Sequence, residues 1–175
     1  HGTISGATYS TPGADALAPT ISSVTSTTAN GAYKAGDAIN VTVTFSEAVT
    51  LAGGNLVITL ETGDTDQAVT ITSVSNSTTA SGTYTVQSGD GSSDLTVKTI
   101  ALSAGGTLSD AAGNAMSSFS IGTNLAAGSA IVVDNTAPTV SSVTSTTANG
   151  AYKAGDAINV TVTFSEAVTL AGGNL

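Results

Sequence analysis

Carboxylates are the side chains of this sequence that could do chemistry. The chain of 175 residues carries 12 acidic residues against three lysines, for a net charge of −9. It has no Arg or Cys, and its one histidine is the first residue. Carboxylate oxygens with no imidazole or thiolate beside them favour hard cations, and Ca²⁺ accepts irregular sets of about six to eight oxygen ligands. This inventory indicates calcium binding.

The same inventory argues against several other classes of function. A nucleophile needs a base beside it, and the many Ser and Thr residues have no evident one. Asp64 and Asp66 form a pair of carboxylates, but they stand in a predicted hairpin tip, so we expect no enzyme. An acidic chain without Arg offers no surface that neutralises phosphates, which argues against nucleic acid. No apolar run approaches the roughly 20 residues that span a bilayer, so we expect no membrane insertion in this segment.

A tandem repeat organises the chain. Residues 18–56 match residues 137–175 at an offset of 119, and the only difference is Ile21 against Val140. We therefore predict three parts: residues 1–17 as the tail of a preceding segment and a linker, 18–136 as one complete repeat, and 137–175 as the truncated start of the next. No signal peptide is visible, and His1 in place of Met suggests a processed or excised segment.

Apolar and polar residues alternate with period 2 through most of the repeat. In AINVTVTFSEAV the apolar residues from Ile39 to Phe45 occupy every second position, which is typical of a half-buried strand. Similar runs are TISSVTS, NLVITLE, AVTITSV, GTYTVQS, DLTVKTIAL and AIVVD, with turns rich in Gly, Asn and Asp between them. About seven strands without a helical period predict an all-β fold, an immunoglobulin-like antiparallel β-sandwich.

This topology gathers the acids at the two ends of the sandwich. The start of the first strand, the end of the second and the loop after the sixth share one end, which would hold Asp15, Glu47 and Asp110. Glu47 stands two positions after Phe45 and therefore faces the same, inward side of the strand. A carboxylate that faces inward at the rim of the core needs a partner. The opposite end would hold Asp134, which begins the linker to the next copy.

The predicted Ca²⁺ ligands are Asp15, Glu47, Asp110, Asp134 and Glu166, with Asp37, Asp90 and Asp94 as weaker candidates. The alternative is that these are solvated loop acids that keep an array soluble.

Three phrases carry a resemblance to a known group of proteins. VDNTAPTV, AGDAINVTVTFSEAVT and, later in the repeat, LSDAAGN are similar to the tandem Ig-like repeats of giant bacterial surface proteins, including biofilm adhesins and cyanobacterial swimming-motility surface proteins. The resemblance implies an extracellular stalk of repeated sandwiches, with Ca²⁺ stiffening the junctions of many such arrays. Asp134-Asn135 followed by Ala137-Pro138 also resembles the calcium linker of cadherins. The first linker reads ADALAPT instead, which implies a weaker or absent site there.

We therefore expect a non-enzymatic extender module of a bacterial surface adhesin or matrix fibre, located outside the cell, whose partners are neighbouring repeats. The alternative is a filament subunit that polymerises with other copies, with strands of another chain completing the truncated repeat. An internal isopeptide bond from Lys34 or Lys98, as in some surface pilins, is not favoured, because we expect neither lysine beside a Glu in apolar surroundings.

Overall fold

Strands of alternating apolar and polar residues make up nearly all of the regular structure, which confirms the predicted all-β class. The computed structural model describes residues 15–173, and the chain divides after Asn135 into two units. Within residues 15–173 there is no α-helix, and therefore no helix that could span a membrane. The strands of the first unit are β1 (Ile21–Thr25), β2 (Gly31–Tyr33), β3 (Ala38–Ala52), β4 (Leu56–Glu61), β5 (Gln67–Ile71), β6 (Ser77–Thr85), β7 (Thr96–Leu102), β8 (Thr107–Ser109), β9 (Ile121–Thr123) and β10 (Ile131–Val133), with a 3-10 turn at Leu125–Ala127. The second unit has β11 (Val140–Thr144) and β12 (Thr161–Phe164).

Two sheets supply the core of the first unit. The larger has the order β6-β3-β1-β9, with β8 beside the end of β3, and the smaller has the order β5-β4-β7. Strands β2 and β10 form a separate pair. The inward residues predicted from the period-2 pattern are buried in one cluster, including Ile39, Val41, Val43, Phe45, Leu56, Ile58, Leu60, Tyr84, Val97 and Ile131. This arrangement confirms the predicted β-sandwich.

The longest strand, β3, pairs with three other strands, two of them along its first part and the third along its last residues. It pairs with β1 in the register Ile21↔Phe45, and with β6 as far as Thr44. Pairing with β6 is interrupted between Thr44 and Val49, and beyond Val49 the strand pairs with β8. The prediction that this strand ends at Glu47 was wrong, because β3 continues to Ala52. Glu47 instead lies in the interruption, where the strand has no β6 neighbour to cover it.

Two strand pairs are parallel, whereas the sequence predicts antiparallel strands throughout. Ile21 of β1 pairs with Ile121 of β9, and Gly31 of β2 pairs with Ile131 of β10. Strands β2, β8 and β9 have three residues each, too few to show an alternating pattern, which is why the sequence predicts about seven strands and the structure has ten here. Both parallel pairs join segments 100 residues apart, so they can form only when the whole repeat closes.

Two Gly-Gly turns pack backbone against backbone. Gly53 and Gly105 have φ angles of 73° and 80°, in the left-handed region that glycine adopts without strain. A Cβ atom on Gly54 would lie 2.7 Å from the Cα atom of Gly106. The sequence predicts each turn, and the structure adds that the two turns need glycine because they touch.

The second unit repeats the pairing of β1 with β3 on fewer residues. Its register is Val140↔Phe164 and Val143↔Val162, with the same irregularity after the first pair. The sequence of β3 recurs unchanged over residues 157–171, yet β12 has four residues where β3 has 15. The long strand therefore forms where β6 and β8 pair with it.

The repeat offers a matched test of this burial. Ile39 is fully buried and its counterpart Ile158 is 56% exposed. We expect Ile39→Ala to lower the free energy of unfolding of the first unit by about 2–5 kcal/mol, because it leaves a cavity in the core. Ile158→Ala should change it by less than about 0.5 kcal/mol. Denaturant unfolding of both variants measures the difference, and equal losses would contradict the burial described here.

Candidate metal centre

The pairing of β3 with β8 brings together the acids predicted at one end of the sandwich. β8 ends at Ser109, which pairs with Thr50, so the chain then runs back along β3 and places Asp110 near Glu47. Asp15 precedes β1, whose first residue Ile21 pairs with Phe45 of β3, two residues before Glu47. The linker, β3 and the loop after β8 therefore contribute one carboxylate each.

These three carboxylates have the spacing of ligands to one cation. One carboxylate oxygen from each of Asp15, Glu47 and Asp110 lies within 4.8 Å of the other two. Oxygens bound about 2.3–2.6 Å from a shared Ca²⁺ lie at most about 5 Å apart, so one ion fits this spacing. Asp15 is exposed, Glu47 half-buried and Asp110 buried, which leaves an approach from solvent. The donor set is all oxygen, as a hard cation requires. Metal binding itself stays a prediction.

The loop that follows β8 fixes the Asp110 carboxylate. The backbone N–H of Asn114 donates to its Oδ1 at 2.8 Å, and the Asn114 side-chain amide donates to its Oδ2 at 2.7 Å. The amide hydrogen bond favours the charged form and lowers the pKa of Asp110, although burial opposes it. The same amide also donates to the main-chain oxygen of Asp15 at 3.1 Å. Asn114 thus ties the linker to the loop.

Sequence reasoning missed Asn114. A signal for it was present, because DAAGN has the Asp and Asn spacing of a turn in which a side chain hydrogen-bonds to nearby backbone. Gly113 completes this turn with a φ of 93°. The loop is therefore built to hold one carboxylate in place.

The Glu47 carboxyl group experiences the opposite electrostatic effect. Partial burial raises its pKa, and the negative charges of Asp15 and Asp110 raise it further. No lysine forms an ion pair with it among the described residues. A cation at this place would oppose that repulsion, so the cluster favours a bound positive charge.

Asp90, a weaker candidate, is engaged by the protein itself. It is 5% exposed, and its Oδ2 accepts hydrogen bonds from the Tyr84 hydroxyl at 2.5 Å and the Gln87 backbone N–H at 2.8 Å. Its Oδ1 accepts from the Gln67 amide at 3.0 Å. Burial, followed by the bond to Asp90, raises the pKa of Tyr84. Both oxygens of Asp90 are thus used in fixing the loop after β6.

The remaining candidates do not join the cluster. Asp37 accepts a hydrogen bond from the backbone N–H of Lys34 at 2.9 Å, which closes a turn, and Asp94 is exposed. Asp134 follows β10 in the first unit, where its backbone N–H donates to the Tyr33 carbonyl at 2.9 Å. Glu166 belongs to the second unit, two residues after β12. The roles of Asp134 and Glu166 at a metal stay predictions.

Lys98 has two acidic neighbours, one of them a Glu, but its surroundings are not apolar, because half of its side chain is exposed. Its Nζ lies 2.8 Å from Asp66 Oδ2 and 3.1 Å from Glu61 Oε2. The hydrogen bond to Asp66, then that to Glu61, raises the pKa of Lys98, and half of its side chain is exposed. An isopeptide bond needs a neutral amine as nucleophile, so this environment favours an ion pair instead.

Comparison with known proteins gives one match. Residues 15–123, more than half of the chain, match the model of a family described as "Bacterial Ig-like domain" (Big_5). Proteins of bacterial surfaces carry domains of this family. No curated protein and no solved structure matches the chain. The matched stretch begins at Asp15, and it contains all three carboxylates of the cluster.

The Glu47 environment predicts a pH-dependent effect of one substitution. When the pKa of a carboxyl group is higher in the folded than in the unfolded protein, the folded state favours the protonated form. As pH rises through the folded pKa the group ionises, and the fold loses that stabilisation. In EGTA at neutral pH, Glu47→Gln should therefore raise the melting temperature, and the gain should shrink as pH falls toward the ordinary value of 4.5. Thermal melts across this range test the sign. A Gln variant that melts lower at neutral pH in EGTA would overturn this assignment.

The buried hydrogen bond between Tyr84 and Asp90 predicts a second effect. Tyr84→Phe keeps the ring in the core but removes a donor to a buried carboxylate, so we expect a loss of about 1.5–3 kcal/mol in unfolding free energy. Tyr33→Phe is the matched control, because the Tyr33 hydroxyl donates to an exposed carbonyl, that of Ala29. Denaturant unfolding compares the two, and a loss no larger for Tyr84→Phe would count against the network.

Proposed function

This chain belongs to the Bacterial Ig-like domain family, and on that basis we propose that it is an extender module of a bacterial surface adhesin or matrix fibre, located outside the cell. Its task would be mechanical. Tandem sandwiches hold other parts of a protein at a distance from the cell, and the 119-residue period supplies such sandwiches in series. Its partners would be the neighbouring repeats.

Several features of the sequence support a non-catalytic role. The chain has no Cys, and its one histidine lies outside the described residues. The conspicuous polar cluster consists of carboxylates at the end of a domain. Acids in this position favour control of a junction over chemistry on a substrate.

The observation that carries the proposal is the place where the three carboxylates meet. Asp15 belongs to the segment that enters the sandwich, while Glu47 and Asp110 belong to the sandwich itself. A Ca²⁺ ion shared by the three would fix the entering segment to the end of the domain. Without the ion, repulsion between like charges would loosen that attachment. Calcium would thereby stiffen the stalk.

The repeat extends this argument along the chain. At the offset of 119 residues, Asp134 corresponds to Asp15 and Glu166 corresponds to Glu47. Each further copy would therefore begin with the same two acids. Ala18-Pro19 and Ala137-Pro138 follow the linker acids at the same distance, and proline restricts the backbone freedom of the linker. A limited hinge with an ion beside it suits an extender.

The test is a thermal melt of the chain titrated with Ca²⁺ and then with EGTA. We expect the melting temperature to rise with Ca²⁺ and fall again with EGTA, because a ligand bound only by the folded state adds about 2.7 kcal/mol at one hundred times its Kd. Glu47→Gln should lose most of this rise. Asp94→Asn removes one exposed charge outside the cluster and should keep it.

Two results would count against the calcium role. If melting of the unaltered chain ignores Ca²⁺, the acids serve solubility and the extender is not calcium-stiffened. If Asp94→Asn loses the rise as fully as Glu47→Gln, the effect reflects overall charge and not this cluster. Mg²⁺ provides a further comparison, because its near-octahedral geometry suits an irregular cluster less well than that of Ca²⁺.

A further inference from the structure

We infer that Asn135 is a latch, a side chain that keeps the exit end of the first unit closed when the chain is pulled. Asn135 lies two residues after β10, in the segment that leaves the sandwich. Its side chain forms three hydrogen bonds with main-chain groups of two separate loops. The latch rests on the proposed role as an extender, because a stalk carries tension, but it requires no calcium.

The amide of Asn135 uses both its oxygen and its nitrogen. The Oδ1 atom accepts from the backbone N–H of Ala35 at 2.6 Å. The Nδ2 atom donates to the main-chain carbonyls of Gln87 at 3.0 Å and Asp90 at 2.8 Å. Ala35 lies between β2 and β3, and the other two residues lie in the loop after β6. Only an amide side chain offers one acceptor and two donors at its tip, so the three bonds select this residue type.

The loop after β6 is a firm anchor for the latch. The Asp90 side chain is buried, and its carboxylate accepts hydrogen bonds from Tyr84 and Gln67. The main-chain carbonyl of the same residue accepts from Asn135. The buried network around Asp90 therefore holds in place the group to which the exit segment is attached.

Strand β10, next to the latch, is hydrogen-bonded on both sides. It runs parallel to β2, and the backbone N–H of Asp134 extends this pair by donating to the Tyr33 carbonyl at 2.9 Å. On its other side, Val133 exchanges two backbone hydrogen bonds with Ser92, at 2.8 and 2.9 Å. Tension on the two ends of the chain pulls β10 toward its C-terminal end and β2 toward its N-terminal end. Two parallel strands pulled in this way slide past each other, so their evenly spaced bonds share the load.

Asn135 lies where the force enters the first unit. Tension on the exit segment passes through its side chain to the two loops before it reaches β10. When the side chain is absent, the last hydrogen bonds of β10 take the whole load. The exit segment can then turn away from the sheet and break these bonds one after another, which requires less force than breaking them together.

The test is unfolding of the whole chain at constant force in EGTA. The chain has no Cys, so a cysteine added at each end attaches the handles at known places. Unfolding of the first unit should release roughly 400 Å of extended chain from about 120 residues. We expect Asn135→Ala to unfold about tenfold faster at the same force, because it removes hydrogen bonds that break before the transition state.

Asn124→Ala is the matched control. Asn124 is also half-buried, and its amide also forms three hydrogen bonds with main-chain groups, those of Val97 and Leu125, away from the exit segment. Both variants should lose similar stability in denaturant, which also shows that they fold. Under force, Asn124→Ala should stay within about twofold of the unaltered chain, because its bonds break only after β10 has left.

Asn135→Asp tests the donated bonds alone. It keeps the size of the side chain and the acceptor for Ala35, but it turns a carboxylate toward two carbonyls, so it should unfold under force at least as fast as Asn135→Ala. Unchanged unfolding rates for either Asn135 variant would overturn the latch. So would an Asn124→Ala variant that unfolds under force as fast as Asn135→Ala. If melting ignores Ca²⁺ while Asn135→Ala unfolds faster, the latch stands and only the calcium role fails.

Discussion

The pairing of β1 with β3 is the interaction on which the first unit depends. β3 continues from this pair to β6 on its other side and then to β8, so one strand connects three partners. Five of its apolar residues are buried in the core: Ile39, Val41, Val43, Phe45 and Val49. The interruption of its β6 pairing leaves Glu47 at the rim, beside the segment that enters the domain. Core, topology and candidate metal centre thus share one strand.

The two copies show what this pairing achieves by itself. A nearly identical sequence forms the same hairpin register in both units. In the first unit, β6 and β8 extend β3 to 15 residues and the opposite sheet covers it. In the second unit, the same residues form a four-residue strand with exposed apolar side chains. Local pairing is therefore encoded within about 40 residues, whereas burial requires the rest of a repeat, because so short a segment cannot bury a core of its own.

The candidate metal centre combines two opposed electrostatic environments within a few ångströms. Asn114 stabilises the charge on Asp110, while Asp15 and Asp110 together disfavour the charge on Glu47. A fold that minimised only its own repulsion would not place these groups together. The arrangement makes sense if a cation completes it, and the link from Asn114 to the Asp15 carbonyl shows that the entering segment is already part of the structure. The carboxylate cluster therefore lies at the same junction where the proposed mechanical role requires stiffness.

The sequence by itself determined the repeat, the all-β class, the inward row from Ile39 to Phe45 and the end of the sandwich where Asp15, Glu47 and Asp110 lie. The repeat follows from the near-identity of residues 18–56 and 137–175. The other features follow from local periodicity or from the alternation of strand direction. Tertiary structure alone decided that Asp90 is bound by Tyr84 and Gln67, and that Lys98 pairs with Asp66. It also decided that β9 pairs in parallel with β1, and β10 in parallel with β2. Except for the bond between Tyr84 and Asp90, which are six residues apart, these features depend on contacts between residues far apart in the chain. A three-residue strand or a single carboxylate carries no periodic signal of its distant partner.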